Sequence, residues 1–293
     1  MNVNFESYKV FYHVAKTLNF SEAAHKLFIS QSAVSQSIKQ LEDKLGIKLF
    51  FRHTKAVKLT AEGEMLFHHI GQAYNLIQAG EKRISELHSL SVGEVRIGAS
   101  DTICKYYLLP YFRLFHEIYP KVKITVINRP SPICMELLNN GSVDVSVVNL
   151  PVEWDQAGFE VQGLKEIQDV FIAGSPFDGL KNRKVSLREL EAYPVLLLEK
   201  NSTTRNYFDE LMVKHGVSIL PEFELGSMDL LVELTKIGLG ISFVTEDAAT
   251  ASIAQNELFK LEMIEAIPKR KIGVLTNKRF VAPIAAQKFI ELF

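Results

Sequence analysis

The chain has 293 residues, with 33 Lys and Arg against 34 Asp and Glu, 47% hydrophobic residues and two cysteines. That length exceeds what one hydrophobic core usually serves, and the apolar fraction excludes a disordered or collagen-like chain. Two cysteines cannot build a disulfide framework, and Cys104 and Cys134 are too far apart for a CxxC-type metal or redox motif. No stretch reaches the roughly 18 consecutive apolar residues of a membrane span. The start, Met1-Asn2-Val3-Asn4-Phe5-Glu6, has neither the basic nor the apolar region of a secretory signal, so a cytoplasmic protein is expected.

The formal net charge of −1 hides a division. Residues 1–60 hold nine Lys and Arg against four Asp and Glu, leaving 24 basic and 30 acidic residues elsewhere. A basic head on an acidic body suits a polyanion-binding module joined to a second task. Apolar spacing predicts a first helix over about Phe5–Thr17, with Tyr8, Phe11, Ala15 and Leu18 on one face. Asn19-Phe20-Ser21 breaks it, and Ser21 is expected to cap a second short helix through Leu27. Ser30 is expected to cap a third, Gln31 to Leu45, closed by Gly46, with Val34, Ile38, Leu41 and Leu45 inside.

The opposite face of that third helix carries Gln31, Ser32, Ser35, Gln36 and Lys39, and its acids come only in the last turn. A helix entering a major groove needs donors and acceptors at its N-terminal end and no carboxylates near phosphates. Leu49–Arg52 and Val57–Thr60 then read as two short strands around a basic tip, a wing that brings Arg52 and Lys55 to phosphate or the minor groove. From periodicity alone, an ordinary three-helix domain with a solvated polar face stays open.

Phe20-Ser21-Glu22-Ala23-Ala24, Ser30-Gln31-Ser32-Ala33-Val34-Ser35 and Ile38-Lys39-Gln40-Leu41-Glu42 carry a resemblance, continued by Leu45-Gly46, Leu49-Phe50-Phe51-Arg52 and Leu59-Thr60-Ala61-Glu62-Gly63. Together they resemble the LysR-type family of bacterial transcriptional regulators. Ser32 stands where that family usually has Pro, and Lys55 where the wing usually has Arg, which weakens Arg-type minor-groove readout there. The resemblance implies a winged helix-turn-helix over 1–60, with Gln31, Ser32, Ser35 and Gln36 at base edges and Arg52 and Lys55 at the wing. It also implies double-stranded DNA, a small-molecule effector and RNA polymerase as partners, and no membrane, no cofactor and no enzymatic activity.

From Thr60, a candidate N-cap, a long helix is expected to about Ser89, so that 61–90 forms a linker. Leu66, Ile70, Ala73, Ile77, Gly80, Ile84 and Leu87 step 4, 3, 4, 3, 4, 3, a coiled-coil-like seam. Packing on the chain's own body is one outlet for that stripe. A partner chain is favoured, giving a homodimer and by resemblance a dimer of dimers, because two-fold DNA readers need paired half-sites. His68 and His69 diverge on a helix and do not suit a shared metal.

Past Gly93 the pattern changes to alternating strands and helices. Strands are expected at Val95–Ala99, Val122–Val126 and Val143–Val148, with helices from Thr102 to Tyr119 and from Ser131-Pro132, cap and first helical residue, to Asn140-Gly141. This order implies a parallel sheet with helices on both faces. It restarts at Val170–Ala173, Val195–Leu198, Phe223–Leu225 and Ile241–Val244, and a last unit, Lys271–Leu275 then Ala282–Leu292, returns to the first lobe. The fold class is therefore α/β multi-domain. By resemblance, residues 91–293 form a two-lobed effector-binding domain like a type II periplasmic binding protein. Lobe I covers about 91–163 and 267–293, and lobe II about 164–266.

Ligands of such folds sit outside strand ends, where helix N-termini point. Ser100, Asp101, Thr102, Arg129, Ser131 and Asn149 occupy those positions in lobe I, and Asn201, Ser202, Thr203 and Ser227 in lobe II. Hydroxyls and free helix N–H groups suit a small carboxylate, whereas Asp101, Glu199 and Asp229, if inward, favour a cation or zwitterion. Each Ser or Thr taken alone is as well read as a helix cap. Cys104 and Cys134 begin predicted helices, where thiol pKa values fall, but buried apolar cysteine is the favoured reading. Two rival readings remain open: a DNA-binding repressor or architectural protein without a working effector site, and a solute-binding protein or enzyme on the same body.

Overall fold

The computed structural model describes residues 3–53, 56–87, 93–150, 158–200, 202–279 and 281–293. It divides into two units, Met1–Ile84 and Ser85–Phe293.

In the first unit, helices α1 (Phe5–Thr17), α2 (Phe20–Leu27) and α3 (Gln31–Leu45) pack around Phe11, Val14, Ala23, Val34, Ile38 and Leu41. The α3 bounds and its Ser30 and Gly46 caps are those expected from sequence. For α2 the cap differs: Asn19 Oδ1 accepts the N–H groups of Ser21 and Glu22 at 2.9 and 3.1 Å, and Ser21 lies inside the helix. Asn is as good a cap as Ser and sits one residue before Phe20, which packs against the core. Strands β1 (Phe50–His53) and β2 (Ala56–Leu59) pair antiparallel, as the wing reading requires.

Helix α4 (Ala61–Leu87) begins at Thr60, whose Oγ1 accepts the Gly63 N–H at 3.0 Å and donates to the Lys48 carbonyl at 2.7 Å. Only glycine fits at Gly63, since a Cβ there would meet the Leu49 carbonyl oxygen at 2.2 Å. The helix continues through Gly80 unbroken. Leu66 and Ile70 are half-buried against the chain's own three-helix core, so the early part of the seam is used within the chain. This narrows the partner-facing expectation to its later positions. Ala73 is half-buried and Ile77 is 42% exposed, while the Ile84 and Leu87 side chains lie outside the described residues.

The second unit holds two five-stranded sheets. The first, in order β4-β3-β5-β14-β6, comprises β3 (Glu94–Ala99), β4 (Lys123–Asn128), β5 (Val145–Leu150), β6 (Phe159–Ile167) and β14 (Arg270–Asn277). The second, in order β10-β9-β11-β7-β12, comprises β7 (Asp169–Ala173), β9 (Val195–Leu198), β10 (Phe223–Leu225), β11 (Ile241–Thr245) and β12 (Phe259–Lys260). A short parallel pair, β8 (Lys184–Val185) with β13 (Glu262–Met263), lies beside them. The sheets are mixed, not wholly parallel: β14 runs antiparallel to β5 and β6, and β7 to β11 and β12. The chain enters lobe II through β7 and returns to lobe I through β14, and each of these entry strands runs against the strands it pairs with.

The first crossing falls at Gln168, five residues beyond the Gly163 position expected, because β6 still belongs to lobe I. The second lies between Met263 and Arg270. The two are tied together. Gln168 Nε2 donates to the Ile267 carbonyl at 3.1 Å, and Arg270 pairs with Asp169 through two bonds of 2.6 and 2.7 Å, both side chains buried.

Helices α5 (Asp101–Ile103) and α6 (Leu109–Ile118) are joined by a π-helical turn, Cys104–Leu108. Helices α7 (Ser131–Asn139), α8 (Thr203–Lys214), α9 (Met228–Lys236), α10 (Glu246–Ala254) and α11 (Ile284–Ile290) complete the two lobes. No helix among the described residues is long and apolar enough to cross a membrane.

Candidate functional site

In the first unit, α3 turns Val34, Ile38 and Leu41 inward, which leaves Gln31, Ser32, Gln36 and Lys39 exposed and Ser35 half-exposed. Ser30 Oγ accepts the Ala33 N–H at 3.2 Å and lies 2.9 Å from the Ser32 hydroxyl; Gln31 Nε2 donates to Ser35 Oγ at 3.1 Å. These are weak exposed bonds, so the same groups are free to exchange partners. Arg52 lies in β1 opposite Val57, but its side chain, and all of Lys55, fall outside the described residues.

Glu42, an acid in the last turn of α3, is buried. Its Oε1 accepts the backbone N–H groups of Leu49 and Phe50 at 2.9 and 3.4 Å, and Lys48 pairs with its Oε2 at 3.0 Å. It fixes the start of the wing to α3. Sequence periodicity missed this, because the donors that hold the carboxylate belong to a strand formed elsewhere.

In the second unit, β3 lies between β4 and β5, and β9 between β10 and β11, so strand order reverses at both positions. Ligands favour the carboxyl ends of strands at such reversals. Both ends front one cleft of about 490 Å³. Its lining includes Ser100, Asp101, Thr102, Arg129, Ser131 and Asn149 from lobe I, and Ser202, Thr203 and Ser227 from lobe II. Asn201 lies outside the described residues.

The hydroxyls differ in their commitments. Ser100, Ser202 and Ser227 accept the N–H groups of Ile103, Arg205 and Leu230 at 3.3, 3.1 and 3.3 Å, so each is a helix cap as well as cleft lining. Ser131 does not cap α7. Pro130 occupies the cap position, Ser131 is the first helical residue, and its buried Oγ accepts the Asn149 N–H at 3.2 Å. Thr102 and Thr203 make no side-chain hydrogen bond with any described residue and line the cleft with free hydroxyls.

Asp101, Glu199 and Asp229, whose orientation sequence could not give, all line the cleft. Asp101 accepts from Asn128 Nδ2, and Arg129 Nη1 donates to the Asn128 carbonyl at 2.7 Å. Asp229 is tied across the cleft to the π-helical turn of lobe I, by Tyr106 Oη at 2.6 Å and Lys105 Nζ at 2.9 Å. Burial raises the Asp229 carboxyl, but the hydrogen bonds from Tyr106 and Lys105 outweigh it and hold the group below the usual carboxylate range. Tyr106 also packs against the lobe II core. Sequence reading missed Lys105 and Tyr106, since a π-helical turn shifts residues out of the 3.6-residue phase that helix reading assumes. Thr245, 7% exposed, borders the cleft at the start of α10, and its Oγ1 has no partner among the described residues.

Cys134 is buried and Cys104 is half-buried at the edge of the cleft, and both environments favour the neutral thiol. Burial pushes the Cys134 thiol up to about 11 and the Cys104 thiol up to about 12, the latter aided by Asp101. Their sulfurs face the Arg129 carbonyl at 3.1 Å and Asn128 Oδ1 at 3.5 Å. A thiol raised from 9.0 to about 12 has about a thousandfold less thiolate at neutral pH. Native protein at pH 7.5 should therefore react with a thiol-specific disulfide reagent about a hundredfold or more below a free thiol. Both groups should react at once in denaturant. Rapid labelling of the native chain would contradict a low thiolate fraction at these positions.

Comparison with known proteins agrees with both units. Residues 5–64 match the family model described as bacterial regulatory helix-turn-helix protein, lysR family, and residues 88–293 match LysR substrate binding domain. A protein named probable RuBisCO transcriptional regulator, from Cyanidioschyzon merolae, is 27% identical over 97% of this chain and 95% of its own. An HTH-type transcriptional regulator CbbR from Rhodospirillum rubrum is 28% identical over 94% and 91%. Among solved structures, full-length CbnR complexed with its target DNA aligns with a TM-score of 0.69 at 20% identity, covering 98% of both chains. A full-length OxyR variant from Pseudomonas aeruginosa aligns at 0.73 and 20%, covering 99% of this chain and 94% of that one. At such identities the structural likeness speaks for the fold.

Proposed function

The chain belongs to the LysR family of bacterial regulatory helix-turn-helix proteins, and on that premise we propose how its two units divide the work of a regulator. The N-terminal unit reads duplex DNA through the exposed face of α3, with Gln31, Ser32, Ser35 and Gln36 at base edges and Lys39, Arg52 and Lys55 toward phosphate. Phosphate contacts position the module and base contacts specify the site. The later positions of the α4 stripe, Ala73, Ile77, Ile84 and Leu87, join two chains so that two modules meet two half-sites. Pairs of dimers and contact with RNA polymerase extend the same scheme, and the chain works as a regulator, not an enzyme.

The interlobe cleft takes a small carboxylate. The observation that carries this reading is the double reversal of strand order, which sets the ends of β3 and β9 on one cleft. The free hydroxyls of Thr102 and Thr203 and the guanidinium of Arg129 supply donors for the anion. Asp101 and Glu199 remain available to a cationic group on the same molecule. Binding shifts an equilibrium between arrangements of the lobes, and only a ligand that prefers one arrangement does so.

The test is thermal unfolding of the full chain against small carboxylates, amino acids and amines, followed by footprinting on DNA with any hit. A ligand at a hundred times its dissociation constant should stabilise the protein by about 2.7 kcal/mol. Thr102→Val should remove the shift, and the ligand should alter the footprint. A panel-wide absence of shift, with a footprint indifferent to metabolites, would favour a repressor with no working effector site.

A further inference from the structure

Phe28 is 93% exposed, more than any other large apolar residue of the described chain. It closes α2 in a left-handed conformation, φ 54°, ψ 38°, with its N–H bonded to the carbonyls of Ala24 and His25. That conformation favours Gly or Asn at a helix end and is costly for a bulky side chain. Leu18 closes α1 in the same way but is 45% exposed. At Phe28 the sequence therefore keeps an aromatic ring where a smaller residue would suit the backbone better and where the ring gains no burial.

The position of the ring says what covers it. Phe28 stands two residues before the Ser30 cap and three before Gln31, so it continues the exposed N-terminal end of α3. Its exposed neighbours are His25, Lys26, Ile29 and Ser30, and residues 1–60 carry five more basic than acidic residues. This surroundings suits a polyanion and not an apolar protein surface. A recognition helix sets its N-terminal residues against base edges in the major groove, and Phe28, three residues before Gln31, is close enough along the chain to lie at the same groove. The apolar feature of that groove is the C5-methyl group of thymine, which Phe side chains contact.

We propose that Phe28 reads a thymine methyl in each DNA half-site, adding an apolar contact to the polar set on α3. The proposal rests on the reading of α3 as the DNA-reading helix. It assigns part of the sequence specificity to the turn that precedes that helix.

The experiment uses the full chain and a random-sequence duplex pool to select the preferred site for wild type, Phe28→Ala and Gln31→Ala. Each thymine of the wild-type site is then replaced singly by uracil, which deletes the methyl and keeps the pairing edge. Wild type should lose about fourfold in affinity at one thymine per half-site, the worth of one buried methyl group, whereas Phe28→Ala should bind the thymine and uracil duplexes equally. Because the ring is exposed, Phe28→Ala should melt at the wild-type temperature or above.

If wild type and Phe28→Ala share one selected site and respond alike to every uracil, the proposal fails. It fails equally if Phe28→Ala alters the sedimenting mass and leaves the uracil profile unchanged, since the ring then serves a protein contact. Gln31→Ala separates the two readings. A changed base preference in Gln31→Ala beside an unaltered Phe28→Ala overturns only the methyl contact, and an unaltered Gln31→Ala overturns the reading of α3 itself.

Discussion

Asp169→Ala should destabilise the Ser85–Phe293 unit by about 3–5 kcal/mol, the usual cost of removing one partner from a buried ion pair. Asp169 opens β7 directly after the first crossing, and Arg270 opens β14 directly after the second. The guanidinium is 3% exposed and the carboxylate 0%, with bonds of 2.6 and 2.7 Å between them. Arg270 also donates to Thr204 Oγ1 at 3.2 Å and lies over the Tyr207 ring, but its Nη1 has no partner among the described residues. Removing the carboxylate leaves the buried guanidinium with the Thr204 hydroxyl and no opposite charge among its bonds to the described residues. Hydrogen exchange of β7 and β14 peptides in the full chain measures the loss where it occurs. The pair Asp169→Leu with Arg270→Met should cost less than Asp169→Ala alone, because no buried charge is left behind. A loss below about 1 kcal/mol for Asp169→Ala would show that the pair does not hold the crossings.

Glu42→Ala should destabilise the N-terminal unit by about 2–4 kcal/mol, since it leaves two backbone N–H groups near the start of β1 buried without their acceptor. Those groups, on Leu49 and Phe50, lead into the strand that carries Arg52, and Thr60 ties α4 to the neighbouring Lys48 carbonyl. The damage should therefore appear as faster hydrogen exchange over β1, β2 and the first turn of α4, with weaker binding to every DNA sequence alike. Glu42→Gln keeps a carbonyl for the Leu49 N–H and should lose less. Lys48→Ala should cost little, because its ammonium is largely exposed. If Glu42→Ala and Lys48→Ala were equally mild, the carboxylate would be an ordinary surface charge.

The contrast between Glu42 and its helix shows what sequence can carry. Val34, Ile38 and Leu41 announce the buried face of α3 through spacing alone, and Ser30 and Gly46 announce its ends. Glu42 follows Leu41 at the edge of that face, and only the arriving β1 strand makes its burial favourable. The same holds in the effector unit. Thr102, Ser131 and Ser202, singled out from strand ends and helix starts, line one cleft, because βα connections repeat a simple geometry.

The finer roles did not follow. Ser131 between Pro130 and Pro132 is one position away from capping, and its hydroxyl serves β5 instead of its own helix. Strand β6 went unread because its middle residues, Glu160 to Gly163, are all exposed at a sheet edge, where alternation has no core to enforce it. Residues 104–108 were misphased by the π-helical turn, which hid the reach of Tyr106 to the opposite lobe.

The first passage between the lobes is one residue long, and Gln168 fills it. A tether that short has no slack, so the lobes cannot slide apart; they can only swing about an axle through the two adjoining passages. On such an axle displacement grows with radius. A molecule lodged near Thr102 and Ser131 would therefore set an opening angle, and surfaces far from the axle would move furthest. The size of a bound metabolite would thereby be written as a rotation, which a distant contact could sense without touching the metabolite itself.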